Sequence, residues 1–205
     1  MMDMPTMKTF SASRIRRLSH QLMLRFAKNN EGMAAIEFVF IVPLMLMIIF
    51  GTIQMSSAVA VDRKVTLTAR TLSDLISQAS SITDADITNA INLGKAILTP
   101  YSTTPLQAKI SQVYIDPTTL VAKVKWSKSS NAVAHTCNEV VTVPTALKVA
   151  GTYLIWSEVT YNYTPVVGYS ASNSYLSAQF PLNDQTYTRP RQSTSVAYPS
   201  EPTCT

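Results

Sequence analysis

The side chain most at odds with its neighbours is Glu37, the one charged residue in the apolar run Met33 to Ile53. An ionised carboxylate at that depth costs up to about 3 kcal/mol on insertion scales, so it requires a partner and marks a functional position. Two readings remain open from the residues alone. Either the carboxylate reaches the aqueous interface and pairs with Lys28 or Arg25, or it serves a contact made inside the apolar layer. A second group that could do chemistry is His135 with Cys137 two residues on. A metal centre wants three or four converging ligands, and the other histidine, His20, lies upstream of the apolar run. His135 and Cys137 therefore read as a loop histidine and a structural cysteine, and no metal is expected. Cys137 and Cys204 are the two cysteines of the chain. Both fall on the side predicted to face an oxidising compartment, where disulfides persist. The alternatives are a bridge tying the carboxy-terminal tail to the domain or two unpaired thiols. A bridge closing so long a loop would stabilise by roughly 4 kcal/mol in the chain-entropy picture.

Other routes to catalysis lack their residues. Glycines stand at 32, 51, 94, 151 and 168, too dispersed to cradle a phosphate. A lone histidine without a nucleophile elbow makes no triad, and no paired carboxylates stand out. The chain is expected to be no enzyme and to need no cofactor.

The element that must position Glu37 is the run itself. It reads MAAIEFVFIVPLMLMIIFGTI, about 21 residues at roughly 1.5 Å each, which matches a hydrocarbon core of about 30 Å. It has no polar stripe of the kind a soluble amphipathic helix keeps. A cleaved secretory signal is the competing reading, with Ser56, Ser57 and Ala58 as a loose cleavage site, but its apolar region would be shorter. The net charge of +5 is concentrated ahead of the run: Lys8, Arg14, Arg16, Arg17, Arg25 and Lys28 face Asp3 and Glu31. Bases flanking a span stay on the cytoplasmic side, so the amino terminus is predicted inside and the remainder outside. The downstream Lys109, Lys123, Lys125 and Lys128 are too sparse for a phosphate-binding face and read as the solvated side of strands, which argues against a nucleic-acid partner.

Beyond the span, Val61, Val65, Ala69, Leu72, Leu75, Ile76 and Ala79 recur every three or four residues, so the helix is predicted to continue to about Ser80. A second helix is predicted from Asp84 to Leu98, with Thr83 as N-cap. The pattern then turns to β. Ile110, Val113 and Ile115, the turn Asp116-Pro117-Thr118, and Val121, Val124 and Trp126 read as a hairpin. Thr152 to Tyr163 reads as a third strand, and Gln185 to Ser193 as a fourth. The expected architecture is α+β, a long helix packed against a small antiparallel sheet. The expected division is a basic leader 1–32, a span 33–53, a helical segment 54–98 and a β domain 99–205.

The string Glu31-Gly32-Met33-Ala34-Ala35-Ile36-Glu37-Phe38, with bases before it and an apolar helix after it, resembles the class III signal of type IV prepilins. That resemblance implies a cut between Gly32 and Met33 by a prepilin peptidase and makes Glu37 the fifth residue of the product. Such a cut would create an α-ammonium on Met33, one turn from Glu37 on the same helical face. The wider stretch Phe26 to Arg70, with Pro43 in the run and Phe50-Gly51 near its end, resembles the TadE/TadG-like proteins of tight-adherence (Flp) pilus systems. Tyr187 to Ser193 resembles the ending of that family. The family resemblance implies a pilin-like minor pilin or pseudopilin in the bacterial inner membrane. Its implied partners are the lipid bilayer, other pilin subunits, the assembly platform and a prepilin peptidase. Glu37 and Phe38 would then serve subunit association. Some members are processed at this glycine while larger relatives remain anchored.

Overall fold

The structure, a computed structural model, describes residues 31–165 and 179–199. The chain divides into two compact units at Gly51/Thr52. The described part of the first is helical throughout and belongs to α1, Glu31–Ser77, 47 residues long with Pro43 inside it. Its side chains are exposed along almost the whole segment.

In the second unit, the remainder of α1 packs with α2 (Asp84–Ile97) and a five-stranded sheet. The strands are β1 (Leu106–Ile115), β2 (Ala122–Ser130), β3 (Val140–Val141), β4 (Tyr153–Tyr163) and β5 (Phe180–Thr188). Their spatial order is β3-β2-β1-β4-β5, and every neighbouring pair is antiparallel. The α+β architecture with a long apolar amino-terminal helix is thus the observed one.

The stripe predicted on α1 is the face that packs, except that Leu75 is exposed and Ala79 lies past the end of the helix, partly buried. Val61, Val65, Ala69, Leu72 and Ile76 are buried with Leu106, Ala108 and Ile110 of β1 and Ile155, Val159, Tyr161 and Tyr163 of β4 in one core. Small residues let helix and sheet come close: the Ser157 hydroxyl donates to the Ala69 carbonyl at 2.5 Å, and the Ser73 hydroxyl donates toward Ile155 O at 3.2 Å. The opposite face of the sheet carries a smaller cluster of Val113, Ile115, Ala122, Val124, Leu154 and Trp156, closed by Val143. In the β1–β2 pairing, Gln112 faces Trp126 and Val113 faces Val124, leaving Lys125 as an extra residue. A bulge of this kind reverses the alternation beyond it, which is why Val124 joins the outer cluster and Trp126 the helix-side core.

α2 opens on a reciprocal cap: the Thr83 hydroxyl accepts from Asp86 N–H at 3.3 Å, and Asp86 accepts from Thr83 N–H at 2.9 Å. The Thr83 hydrogen bonds hold the Asp86 carboxyl below its ordinary value. At the other end, Lys64 of α1 donates to the carbonyls of Ile97 and Thr99 at 2.8 Å each. This places a cation where the last carbonyls of a helix lack partners.

α1 stops at Ser77 rather than Ser80 because the carboxy-terminal strand of chain takes over its carbonyls. Arg191 N–H donates to Ser77 O at 2.8 Å, and the Arg191 guanidinium pairs with Asp74. The strap then runs on, with Ala197 N–H donating to Ser80 O at 3.0 Å and Ile82 N–H to Ala197 O at 2.9 Å. The same course corrects the fourth strand. It lies at Phe180–Thr188, not at 185–193, since the residues after Thr188 leave the sheet to cap α1. β3, two residues long, had no sequence signal of its own.

Gly94 of α2 meets α1 closely. A Cβ built there would lie 2.9 Å from Thr68 Cγ2, and Thr68 is fully buried with its hydroxyl donating to Lys64 O at 2.8 Å. Gly94→Ala gains about 1 kcal/mol of helix propensity but overpacks at a cost of about 1–3 kcal/mol. The expected result is a lower midpoint of thermal unfolding for the full chain in detergent, and a raised midpoint would show that the two helices yield.

Candidate functional site

The residues singled out by the amino-terminal motif lie together at the start of α1. Gly32 and Met33 are already within the helix, and Glu37 follows Met33 by one turn on the same side. Met33 is 60% and Phe38 65% exposed, Glu37 is exposed, and a Cβ at Gly32 would meet nothing within 4 Å. Among the described residues, one helix is long and apolar enough to cross a membrane. Its most apolar window has a mean hydropathy of 2.6, and none of that window is buried inside the protein. A helix of soluble core would bury such residues. The exposed run of Phe40, Met47, Ile48 and Met55 fits instead a single-pass membrane protein, where lipid takes the place of a protein core. Pro43 is compatible with this reading, because helix-breaking residues are tolerated in spans.

A polar constellation lies on the outer face of the sheet, and it is richer than a loop histidine. His135 Nδ1 is 3.1 Å from Glu139 Oε1, and His135 Nε2 is 2.7 Å from Glu158 Oε2. Lys109 Nζ approaches the same Glu158 oxygen at 3.1 Å. Lys109 and Glu158 are directly opposed across β1 and β4, the arrangement in which opposite charges support a sheet. The imidazole stacks on Trp156 at 4.8 Å, and Trp156 in turn stacks on Tyr187 at 5.7 Å. The His135 N–H donates to the Ser127 hydroxyl at 3.1 Å, which ties the loop to β2. With Lys109 Nζ also 3.3 Å from His135 Nε2, the arrangement is a polar staple, Lys109–Glu158–His135–Glu139, that fixes the loop after β2 to the sheet. Lys109, expected on a purely solvated face, is a partner in it.

The Glu139 carboxyl is held below its ordinary value, first by the Thr136 backbone N–H at 2.8 Å and then by the His135 ring. A carboxyl depressed by folding contributes stability that is present above its unfolded value and is lost as pH falls through its folded value. Acid is therefore expected to loosen the turn from Thr136 to Glu139. Glu139→Gln should lower stability near neutrality and flatten the acid limb, so that the two proteins converge as pH falls below the ordinary carboxylate range. An acid limb identical in both proteins would remove Glu139 from the account.

Cys137 lies inside this turn, and Cys204 lies outside the described residues. Among the described residues, no group of three or more His, Cys, Asp or Glu side chains is placed to hold a metal. The sequence had one signal for the staple, the spacing of Glu139 four residues after His135. Glu158 and Lys109 reach it through strand register alone.

The fold and the exposed helix together define a class: an apolar single helix suited to a membrane, leading into a helix-on-sheet domain. Comparison with known proteins adds one likeness. Residues 32–72 match the family model described as TadE-like protein, about a fifth of the chain. The match begins at Gly32, takes in Glu37 and the whole apolar run, and ends at Leu72 in the part of α1 that packs on the sheet. No curated protein and no solved structure matches the chain.

Proposed function

We propose that this protein is a minor pilin or pseudopilin-like component of a tight-adherence (Flp) pilus assembly system, with no enzymatic activity of its own. It sits in the bacterial inner membrane through Met33 to Ile53, with its amino terminus in the cytoplasm and its sheet domain outside. The observation that carries the reading is that the TadE-like match, residues 32–72, covers the exposed apolar helix that is suited to a membrane span. Gly32 and Met33 flank the processing bond, and Glu37 and Phe38 contact other pilin subunits or the assembly platform. Surface attachment and secretion follow from the assembled filament. No nucleic acid is involved.

The helical state of Gly32 and Met33 has a consequence for processing. A protease binds extended chain, so the first turn of α1 must unwind before the bond can be cut. Glycine, about 1 kcal/mol worse than alanine in a helix, makes that turn easier to open. Gly32→Ala is accommodated without a contact within 4 Å, so the variant is expected to fold and insert normally yet keep its leader. The test is intact mass and amino-terminal sequence of the protein from its native membrane, with and without the prepilin peptidase. A chain beginning at Met33 only when the peptidase is present supports the proposal. A full-length chain in both cases points to an uncleaved, membrane-anchored scaffold or ligand-binding protein of the envelope.

A further inference from the structure

Where α1 enters the sheet domain, Ser57 of the helix, Tyr101 and Ser102 of the α2–β1 connection, and Tyr161, Asn162 and Tyr163 of β4 line a groove of about 440 Å³. Among the described residues, no Asp, Glu, Lys, Arg or His lines it; its walls are aromatic faces with hydroxyl and amide groups. The Tyr161 hydroxyl donates to Ser102 O at 2.9 Å and the Tyr163 hydroxyl to Gln54 Oε1 at 3.4 Å, which fixes both rings. Burial, before any other cause, pushes both phenols above their ordinary value, so they remain uncharged.

The position of the groove along the chain is as informative as its chemistry. Gln54 follows the last residue of the apolar run directly, and Ser57 lies four residues beyond Ile53, about 6 Å at 1.5 Å per residue whatever angle the span takes. A bilayer extends roughly 5–8 Å beyond its hydrocarbon core on each side. That layer holds glycerol and ester carbonyls, which are acceptors without net charge, and it is where amphipathic tyrosine rings are favoured. A phosphate or an acidic headgroup would call for a free Lys or Arg. Neither Arg63 nor Lys64, about two turns further along α1, lines the groove; Arg63 is exposed, and the Lys64 ammonium is engaged by Ile97 O and Thr99 O at 2.8 Å.

We propose that this tyrosine-lined groove seats on the bilayer and takes the glycerol and ester-carbonyl layer of a phospholipid, holding the sheet domain against the membrane face. The proposal rests on the reading of Met33 to Ile53 as a span. The test reconstitutes the full chain into phosphatidylcholine vesicles carrying a phospholipid with a photoactivatable diazirine next to its glycerol, and maps the adducts by mass spectrometry. Adducts are expected on the 33–53 segment and on the peptides holding Tyr101 and Tyr161 to Tyr163, absent from α2, and unchanged when phosphatidylglycerol or 0.5 M salt (about a 4 Å screening length) is added. Adducts confined to 33–53 would overturn the groove while leaving the span intact. Groove adducts that need phosphatidylglycerol would overturn it in favour of an electrostatic contact. A chain that neither floats with the vesicles nor is labelled anywhere would overturn span and groove together.

Discussion

Glu37→Ala is expected to abolish piliation while leaving the protein inserted at wild-type levels. The two halves of that expectation come from opposite sides of one free-energy balance. A carboxylate within an apolar span opposes insertion by up to about 3 kcal/mol, so its removal favours the membrane-bound state. Any function lost with it must come from a contact that the carboxylate makes. Within the described residues, Glu37 is exposed on a helix whose flanking side chains are apolar. Its partner would then be the α-ammonium of a processed Met33, in the same chain one turn away or in a neighbouring subunit. A subunit contact of opposite charges in low dielectric is worth several-fold more than the same contact in water. Glu37→Gln keeps shape and hydrogen bonding without charge and should fall between wild type and alanine. Counting filaments by electron microscopy beside carbonate extraction of membranes checks both halves. Normal filament numbers in Glu37→Ala would leave the residue a bystander near the interface.

What the residues disclosed on their own was local. The apolar run, the amphipathic stripe of α1, the Thr83 cap and the hairpin around Asp116 each repeat or punctuate within a few residues, and each appeared where expected. Asp116 illustrates this: its carboxylate accepts the N–H groups of Thr118 and Thr119 at 2.9 Å each, a turn written into three consecutive positions. The elements that escaped depend on distant partners. β3 is two residues that become a strand because Ala122 and Lys123 lie beside them. The end of β5 is set by a tail that leaves to cap α1, and nothing near Thr188 says so except Pro190. The staple around His135 draws on β1, β4 and a loop, and its assembly follows from the Lys109–Glu158 register. The amino-terminal motif was legible because its chemistry is arranged along one helix.

The second large effect is expected from Trp126→Ala. Trp126 faces the helix because the bulge at Lys125 turns it there, and it is 5% exposed in the main core. Its indole N–H donates to Val196 O at 3.0 Å, and its ring packs on Tyr198 at 5.6 Å. Both partners belong to the strap that caps α1, so one side chain supports the core and holds the strap closed. Truncation of a buried tryptophan typically costs about 3–5 kcal/mol, and here it also leaves the Val196 carbonyl without its donor. Against a total stability of about 5–15 kcal/mol, that is a large share. Trp156, on the opposite face of the sheet, is the natural control: its loss should damage the outer cluster and the His135 stack but leave the strap in place. Hydrogen exchange separates the two. In Trp126→Ala the amides of Arg191, Ala197 and Ile82 should exchange faster relative to those of β4, whereas in Trp156→Ala they should keep their rank. Trp126→Phe retains the ring packing without the N–H and should lose about 1 kcal/mol. Protected strap amides in Trp126→Ala would mean that Arg191 and its pairing with Asp74 hold the strap without help from the indole.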